Sequence, residues 1–263
     1  MHVTLNPRLD GPAIARDLED QGFSIIEGVL DPAQAAALKA RLIQIAGELE
    51  ARGVSTHTAI IDPNPANVRV YGLPDHDPAF LQLVSEPVVR EVVDACLGPD
   101  VILSNFSANI ARPGAKAMKI HSDMALVIPA PWRERWALNM IWCLDDIYDA
   151  NGATRYLPGS HRFSEMAELP ADAEAQMRAF EAPAGSVIVL DGRTWHSSGD
   201  NITQDADRAL LFAYFSRGFI RPQACWHETL RPPTITSLDE AQRQLFGFGE
   251  LANVHGAGLV TLT

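Results

Sequence analysis

The downstream half of the chain is divided into short apolar runs separated by turn residues, and this pattern constrains the fold more than any other feature. Six runs read as strands, at residues 101–110, 117–123, 136–144, 154–157, 186–190 and 210–216. Turn signals such as Arg112-Pro-Gly114, Asn151-Gly152 and Asp191-Gly192 lie between them. Several short strands of this kind predict a mainly β fold with flanking helices, built as an antiparallel double sheet of jelly-roll type.

The first hundred residues have a largely helical pattern. It predicts helices at 10–21, 33–51 and 79–97, and short strands at 22–30 and 68–71. Asp31 and Pro32 favour the start of the long helix as its cap and first-turn residue, and Gly53 favours its end. These elements would flank the predicted sheets.

No repeat, low-complexity segment or linker interrupts the sequence, so we expect a single domain over residues 1–263. Its parts would be a helical region at 1–100, a jelly-roll core at about 101–220 and a tail at 221–263 with a helix at 237–247.

The composition argues against several classes of partner. The chain has 263 residues and a formal net charge of −12, without a cluster of Lys and Arg, so phosphate repulsion argues against nucleic acid. It has no apolar run of about 18 residues to span a membrane, and no secretory signal. Its three cysteines are scattered, which is typical of a reducing compartment. We therefore expect a cytoplasmic protein that acts on a small molecule, in an oligomeric state that the sequence does not indicate.

An imidazole and a carboxylate lie close together in the segment MKIHSD at residues 118–123. His121 and Asp123 are two positions apart, and on a strand such residues point to the same face. A second imidazole, His196, follows the predicted strand at 186–190 and a turn. Two His and one carboxylate are the ligand set of a mononuclear non-haem Fe(II) site, although an isolated H-x-D is usually chance or ordinary packing.

Six segments in one order make the pattern more specific. They are GFSIIEGVLDP at 22–32, HSD at 121–123, WCLDD at 142–146, NGATRYLPGSH at 151–161, PAGSVIVLD at 183–191 and WH at 195–196, with Arg208 beyond. Over roughly residues 20–220 the chain resembles the phytanoyl-CoA dioxygenase (PhyH) family of Fe(II)/2-oxoglutarate oxygenases. The resemblance implies a double-stranded β-helix, which is a cupin-like jelly roll. It also implies Fe(II) bound by His121, Asp123 and His196, with no catalytic residue beyond these ligands.

The resemblance further implies a site for the co-substrate 2-oxoglutarate. Arg208 would hold its far carboxylate, because a guanidinium suits a carboxylate and is costly to bury on an apolar strand without an anion. A surface ion pair with Asp205 or Asp207 is the alternative. Ser198 and Thr154 match hydroxyls near the co-substrate in related enzymes, and a hydroxyl satisfied by the backbone is the alternative for each.

Long apolar side chains cluster around the H-x-D segment, at Met118, Met124, Leu126, Trp132, Trp136, Met140 and Trp142. They indicate an apolar pocket if about half of them face inward, although each one is more often plain core. We expect substrate contacts from Asn139 and Met118, and from Arg69 and Tyr71 in a loop-like region that suits a lid. His161 is expected to buttress the site. The other histidines, His2, His57, His76, His227 and His255, are expected to be surface or structural residues.

These expectations describe a 2-oxoglutarate-dependent non-haem iron dioxygenase. It would use O2 to oxidise, chiefly by hydroxylation, a C–H bond of a small to mid-sized hydrophobic metabolite of secondary metabolism, with release of succinate and CO2. Three alternatives stay open: a cupin-type metal enzyme that does not use 2-oxoglutarate, a non-catalytic metal-binding homologue, and a zinc hydrolase. The last would lack an obvious general base and would give Arg208 no role.

Overall fold

The computed structural model describes residues 3–6 and 8–248, so His2 and His255 lie outside the described residues. The helices are α1 (Gly11–Asp20), α2 (Pro32–Ala51), α3 (Leu73–His76), α4 (Pro78–Ser85), α5 (Pro87–Leu97), α6 (Ala173–Gln176), α7 (Trp226–Thr229), α8 (Pro232–Ser237) and α9 (Glu240–Leu245). The strands are β1 (Phe23–Ile26), β2 (Asn67–Tyr71), β3 (Val101–Ala111), β4 (Ala137–Cys143), β5 (Thr154–Tyr156), β6 (Arg178–Ala179), β7 (Val187–Asp191), β8 (His196–Ser198) and β9 (Arg208–Arg217). The mainly β character with flanking helices is confirmed.

Helix α2 begins where the sequence predicts, because Asp31 caps it. The Asp31 carboxylate accepts a hydrogen bond from the Gln34 backbone N–H at 2.9 Å, and the Gln34 side chain accepts one from the Asp31 backbone N–H. This reciprocal pair is a capping box, which satisfies two amide groups that the first turn leaves free. At the other end Gly53 has φ +75°, a left-handed conformation that commonly follows a helix.

Two predicted elements differ in extent. The strand predicted at 22–30 is shorter, because the chain turns at Gly28, whose φ is +66°. The helix predicted at 79–97 is divided into α4 and α5. Glu86 precedes Pro87 and has an extended backbone (ψ 133°), since the proline ring disfavours a helical conformation at the residue before it.

The strands form two antiparallel sheets. The larger has six strands in the order β1-β7-β4-β9-β3-β2, and the smaller has three in the order β6-β5-β8. One apolar cluster joins the two sheets and includes Ile141 of β4, Leu210 of β9 and Phe180, which follows β6. The smaller sheet therefore packs against one face of the larger sheet.

The opposite face of the larger sheet is covered by helices. Met140 and Trp142 flank Ile141 on β4, and alternation along a strand points them to the other side. They belong to the largest apolar core, which also contains Leu38 of α2 and Phe80 of α4. None of the helices in the described ranges has the length and hydropathy needed to cross a bilayer.

The strand predicted at 117–123 is not formed. His121 and His196 form one isolated antiparallel bridge, and Asp123 begins a turn. The preceding residues bond to side chains instead of a neighbouring strand, since the Ala117 N–H donates to Asp200 Oδ1 and the Met118 N–H donates to Ser198 Oγ. The expectation that His121 and Asp123 lie together is met, but strand alternation is the wrong reason for it.

Candidate metal centre and its cavity

His121, Asp123 and His196 meet at one point. One ligand atom from each of these residues can be chosen so that all three lie within 4.8 Å of one another. Oδ1 of Asp123 lies 3.9 Å from Nε2 of His121 and 3.8 Å from Nε2 of His196. Side chains that are 75 positions apart in sequence, such as His121 and His196, are thus brought to the spacing that a single bound ion requires.

Both imidazole rings are set in the tautomer that suits a metal. Nδ1 of His121 lies 2.9 Å from the Lys119 carbonyl oxygen, and Nδ1 of His196 lies 2.9 Å from the Thr194 carbonyl oxygen. A carbonyl oxygen only accepts, so each Nδ1 donates, and in the neutral ring Nε2 then has a lone pair for a metal. Burial lowers the pKa of His121, and the adjacent His196 ring lowers it further. This ring is therefore neutral and able to coordinate.

Backbone bonds hold the H-S-D segment beside β8. The His121 N–H donates to the His196 carbonyl at 2.9 Å, and the His196 N–H donates back at 2.8 Å. The carbonyl of Gly192 accepts from Ser122 Oγ at 2.8 Å and from the Met124 N–H at 2.9 Å. A segment without a strand ladder is thereby fixed on both sides of Asp123.

Asn139 and Tyr214 hold Asp123 in place, one at its carboxylate and the other at its backbone. The Asn139 amide donates from Nδ2 to Asp123 Oδ2 at 3.1 Å, while the Tyr214 hydroxyl donates to the Asp123 carbonyl at 3.4 Å. Asn139 and Tyr214 are paired across β4 and β9, so they form one support. Asn139 thus holds one carboxylate oxygen and leaves the other for the ion. The amide oxygen of Asn139, Oδ1, is buried without a hydrogen-bond partner.

A cavity of about 140 Å³ opens beside the three side chains. Its walls include Arg69, Arg208 and a set of uncharged polar residues, among them Asn105, Ser107 and Gln223. The apolar part of the wall consists of Ile61, Met118, Leu126 and Phe212.

Arg208 is buried in the wall of this cavity, at 1% exposure. It donates from Nη1 to Asn109 Oδ1 at 3.0 Å and from Nη2 to the Gly152 carbonyl at 2.7 Å, and its Nε has no partner. Within the described chain it forms no ion pair, so the surface pair with Asp205 or Asp207 is not formed. Burial lowers the pKa of Arg208 to about 10, which expresses the cost of desolvating its charge.

The motif NGATRYLPGSH positions both Arg208 and His196. Gly152 has φ +80°, and a Cβ there would lie 3.1 Å from the Gly199 carbonyl oxygen, so a residue other than glycine would strain the turn. This turn directs the Gly152 carbonyl at Arg208. Farther along the motif, the hydroxyl of Ser160 accepts from the Trp195 N–H at 2.9 Å and so fixes the residue before His196.

The two predicted hydroxyls are neighbours. Thr154 of β5 pairs with Ser198 of β8, and both line the cavity. Ser198 also accepts the Met118 N–H at 2.9 Å. Both residues are therefore within the same cavity as the histidines and Arg208.

The residues expected to contact substrate also line the cavity, but Arg69 is tied to another residue. Its Nε and Nη2 each lie 2.8 Å from one carboxylate oxygen of Asp62, and Nη2 lies 2.9 Å from Met118 Sδ. Tyr71 is 44% exposed, and its hydroxyl lies 3.2 Å from Thr58 Oγ1. Arg69 and Tyr71 belong to β2, which confirms the short strand predicted at 68–71, and they line the cavity from the edge of the larger sheet.

The predicted apolar pocket is only partly present. Met118 and Leu126 line the cavity, whereas the other members of the predicted set do not. Met140 and Trp142 point to the helix-covered face of the sheet, and Met124 and Trp132 lie in a separate apolar cluster. Large side chains close in sequence to His121 thus mostly serve as core.

Four functional candidates were not predicted from the sequence, namely Asn105, Ser107, Asn109 and Asp62. Asn105, Ser107 and Asn109 line the cavity from alternate positions of β3. Asn105, Ser107 and Asn109 stand at every second position of this strand, and such a spacing in the sequence is a signal of a polar wall. Asp62 gave no such signal, because its role depends on a loop that folds back onto Arg69.

The remaining histidines that the structure describes stand outside the cluster of ligand candidates. His161 is buried, with Nε2 3.2 Å from the Glu19 carbonyl oxygen, and its ring packs against Gly22. His57 and His76 are half-buried, and His227 is exposed.

The three side chains fit Fe(II) by their donor set. Two imidazole nitrogens with free lone pairs and one carboxylate oxygen occupy one face of a site, which is the arrangement that leaves positions open for other ligands. The supports behind them, which are two backbone carbonyls and the Asn139 amide, are those that orient metal ligands in general.

Comparison with known proteins identifies the class. The phytanoyl-CoA dioxygenase (PhyH) family model matches residues 18–209, and this chain belongs to that family. Membership supports an oxygenase with a metal-binding His-Asp-His site.

Individual relatives agree with this class. Dioxygenase af480 of Aspergillus fumigatus is 42% identical over 237 residues, covering 90% of this chain and 77% of the relative. Dioxygenase FUM3 of Gibberella moniliformis is 24% identical and covers 88% of this chain and 80% of its own length. Dioxygenase sphC of Aspergillus fumigatus is 23% identical, and the match covers 94% of this chain and 69% of the relative.

Proposed function

We propose that the protein is an Fe(II)- and 2-oxoglutarate-dependent dioxygenase that oxidises, chiefly by hydroxylation, a C–H bond of a small to mid-sized metabolite. His121, Asp123 and His196 would hold the iron. When bound, iron with 2-oxoglutarate and O2 supplies the oxidising chemistry that side chains lack, and succinate and CO2 are released. We also propose that the two sheets form the double-stranded β-helix of the family and that the chain is one oxygenase domain.

One observation carries the choice of co-substrate. Arg208 is a buried cation without a carboxylate partner among the described residues, and it lines the same cavity as the three ligand candidates. A buried guanidinium that keeps unused N–H groups is stabilised by an anion, and a carboxylate matches its planar shape. The far carboxylate of 2-oxoglutarate would supply this anion, with the Thr154 and Ser198 hydroxyls beside it.

The protein's own groups would position the reactants. Arg208 would orient the co-substrate relative to the three ligands, and Asn139 would keep one oxygen of Asp123 directed at the metal. The outer wall of the cavity would then place the substrate next to the metal. Positioning of this kind accounts for a large share of catalysis when a cofactor carries the chemistry.

The alternatives make different demands on Arg208. A cupin-type metal enzyme without 2-oxoglutarate would retain its activity when Arg208 is replaced, and a non-catalytic homologue would bind metal without turnover.

The free cysteines Cys96, Cys143 and Cys225 suit a reducing compartment, so we propose a cytoplasmic location. We also propose that the oxidised metabolite belongs to secondary metabolism.

Succinate release tests the proposal. The purified protein is supplied with Fe(II), 2-oxoglutarate and air, and succinate is measured with candidate metabolites present and absent. We expect release that requires both Fe(II) and O2 and that is lost in His196→Ala and in Arg208→Met. A wild-type protein that never forms succinate, or an Arg208→Met variant with full activity, would refute the proposed function.

A further inference from the structure

The second cation of the cavity is already neutralised. Both carboxylate oxygens of Asp62 accept from Arg69 at 2.8 Å, and the Asp62 side chain is fully buried. A bidentate pair of this kind is strong and geometrically fixed. Arg69 therefore faces the cavity as half of an ion pair and offers no unmatched charge to a ligand.

The remaining charges of the cavity balance when the ligands of the proposed function are bound. The positive charges of a divalent metal and of Arg208 equal the negative charges of Asp123 and of the 2-oxoglutarate dianion. An ionic substrate would lose water in the cavity without gaining a counter-charge, which is unfavourable.

The groups left for a substrate are uncharged. Asn105 and Gln223 line the cavity and are joined by a hydrogen bond of 3.3 Å, and Ser107 lies on the same wall. The apolar wall residue Leu126 is 69% exposed and Ile61 is 38% exposed. Exposed apolar side chains around a cavity commonly mark a binding surface for an apolar ligand.

We infer that the substrate is an uncharged molecule with a mainly hydrocarbon skeleton that carries a hydroxyl or carbonyl group. The inference rests on the proposed function, because the charge balance includes bound metal and 2-oxoglutarate. Ile61, Leu126 and Phe212 would contact the skeleton, and Asn105, Ser107 and Gln223 would bind the polar group. An acyl-CoA or a free carboxylic acid would find no free cation in the described wall of the cavity.

Matched probes test the inference on the wild-type protein. Two sets are used: decanol, decanoate and decylamine, and 2-cyclohexylethanol, cyclohexylacetate and 2-cyclohexylethylamine. Each probe is scored by its stimulation of succinate release and by its perturbation of the anaerobic absorption of the iron–2-oxoglutarate complex. We expect the alcohol to exceed its carboxylate and its amine by about tenfold in at least one set, since one unpaired charge disfavours binding by that factor or more.

The outcomes are distinguishable. A carboxylate or amine that acts as well as its alcohol, or no response to either alcohol, contradicts the inference while leaving the proposed function intact. A wild-type protein without the iron–2-oxoglutarate absorption refutes the proposed function itself.

A charge substitution provides a second test. Asp62→Asn removes the counter-charge of Arg69, so the response to decanoate relative to decanol should rise by about tenfold. The matched control is Asp94→Asn, which removes the partner of Arg90 on the surface of α5, where the ion-pair distance is 2.7 Å. The control should keep the wild-type ratio, and an unchanged ratio in folded Asp62→Asn contradicts the inference. Thermal unfolding shows whether Asp62→Asn is folded. If it is not, the wild-type probe series alone decides whether the substrate is uncharged.

Discussion

Two arginines line the cavity, and they stand in opposite electrostatic situations. Arg69 is clamped by a buried carboxylate, whereas Arg208 is bound only by the Asn109 amide oxygen and the Gly152 carbonyl. A charge that is neutralised inside the protein contributes to the fold. A charge that is buried without a counter-ion weakens the fold and is retained for a ligand. On the proposed function, Arg69 serves the structure and Arg208 serves the binding of 2-oxoglutarate.

The largest expected effect is on stability, where the two arginines should differ. Arg69→Met leaves Asp62 buried without a partner, so the free energy of unfolding should fall by about 3 kcal/mol. Arg208→Met removes an uncompensated charge and leaves only two neutral acceptors unpaired, so the loss should be less than about 1.5 kcal/mol. Urea unfolding without 2-oxoglutarate measures both values. Equal losses of stability in the two variants would contradict the proposed difference between Arg69 and Arg208.

The affinity for 2-oxoglutarate should show the reverse order. Arg208→Met should weaken binding by about a hundredfold, because the far carboxylate loses its charged partner. Asp62→Asn, which leaves both hydrogen bonds of Arg208 in place, should alter this affinity by less than about threefold. Anaerobic titration of the iron-loaded protein measures both. A stronger effect of Asp62→Asn would assign the co-substrate to Arg69 instead.

A smaller effect is expected at the residue that orients Asp123. Asn139→Ala frees the second carboxylate oxygen, and the loss of such a support typically weakens metal binding by about tenfold or more. Ser107→Ala is the control, since Ser107 lines the cavity without a hydrogen bond to Asp123. Titration with Co(II) gives the affinity, and the visible Co(II) spectrum should change in Asn139→Ala alone. An unchanged spectrum in Asn139→Ala would show that the amide does not act through the carboxylate.

The smallest effect is expected at the turn that supports Arg208. Gly152→Ala introduces a Cβ at φ +80° and 3.1 Å from the Gly199 carbonyl oxygen, which should lower the free energy of unfolding by about 1 kcal/mol. The Gly152 carbonyl would move away from Arg208, so the affinity for 2-oxoglutarate should fall by about threefold. Gly47→Ala is the control, because it has open space and lies on α2. If Gly152→Ala matches this control in both measurements, the turn does not position Arg208.

Much of the fold follows from local sequence signals. Asp31 and Gly53 delimit α2, and turn residues separate most of the strands, because these effects act within a few residues. Pro87 divides the helix predicted at 79–97, because a proline disfavours a helical conformation at the residue before it. The H-S-D segment is different, since it is fixed by the distant Gly192 and His196 and by no local pattern.

The candidate site was predictable where family motifs mark it. His121, Asp123, His196 and Arg208 could be named from motif order, and the structure brings all four to one cavity. The state of a charge could not be predicted in this way. Whether a guanidinium is paired depends on which carboxylate the tertiary fold brings to it, and Asp62 reaches Arg69 through a loop that has no sequence signature.

The most direct test of the central claim is the visible absorption of the anaerobic protein with Fe(II) and 2-oxoglutarate. We expect a weak charge-transfer band that requires both components in the wild-type protein. The band should be absent in Asp123→Ala and in His196→Ala. In Arg208→Met it should appear only at much higher 2-oxoglutarate concentration. A wild-type protein that binds Fe(II) but gives no band at any 2-oxoglutarate concentration would contradict the account.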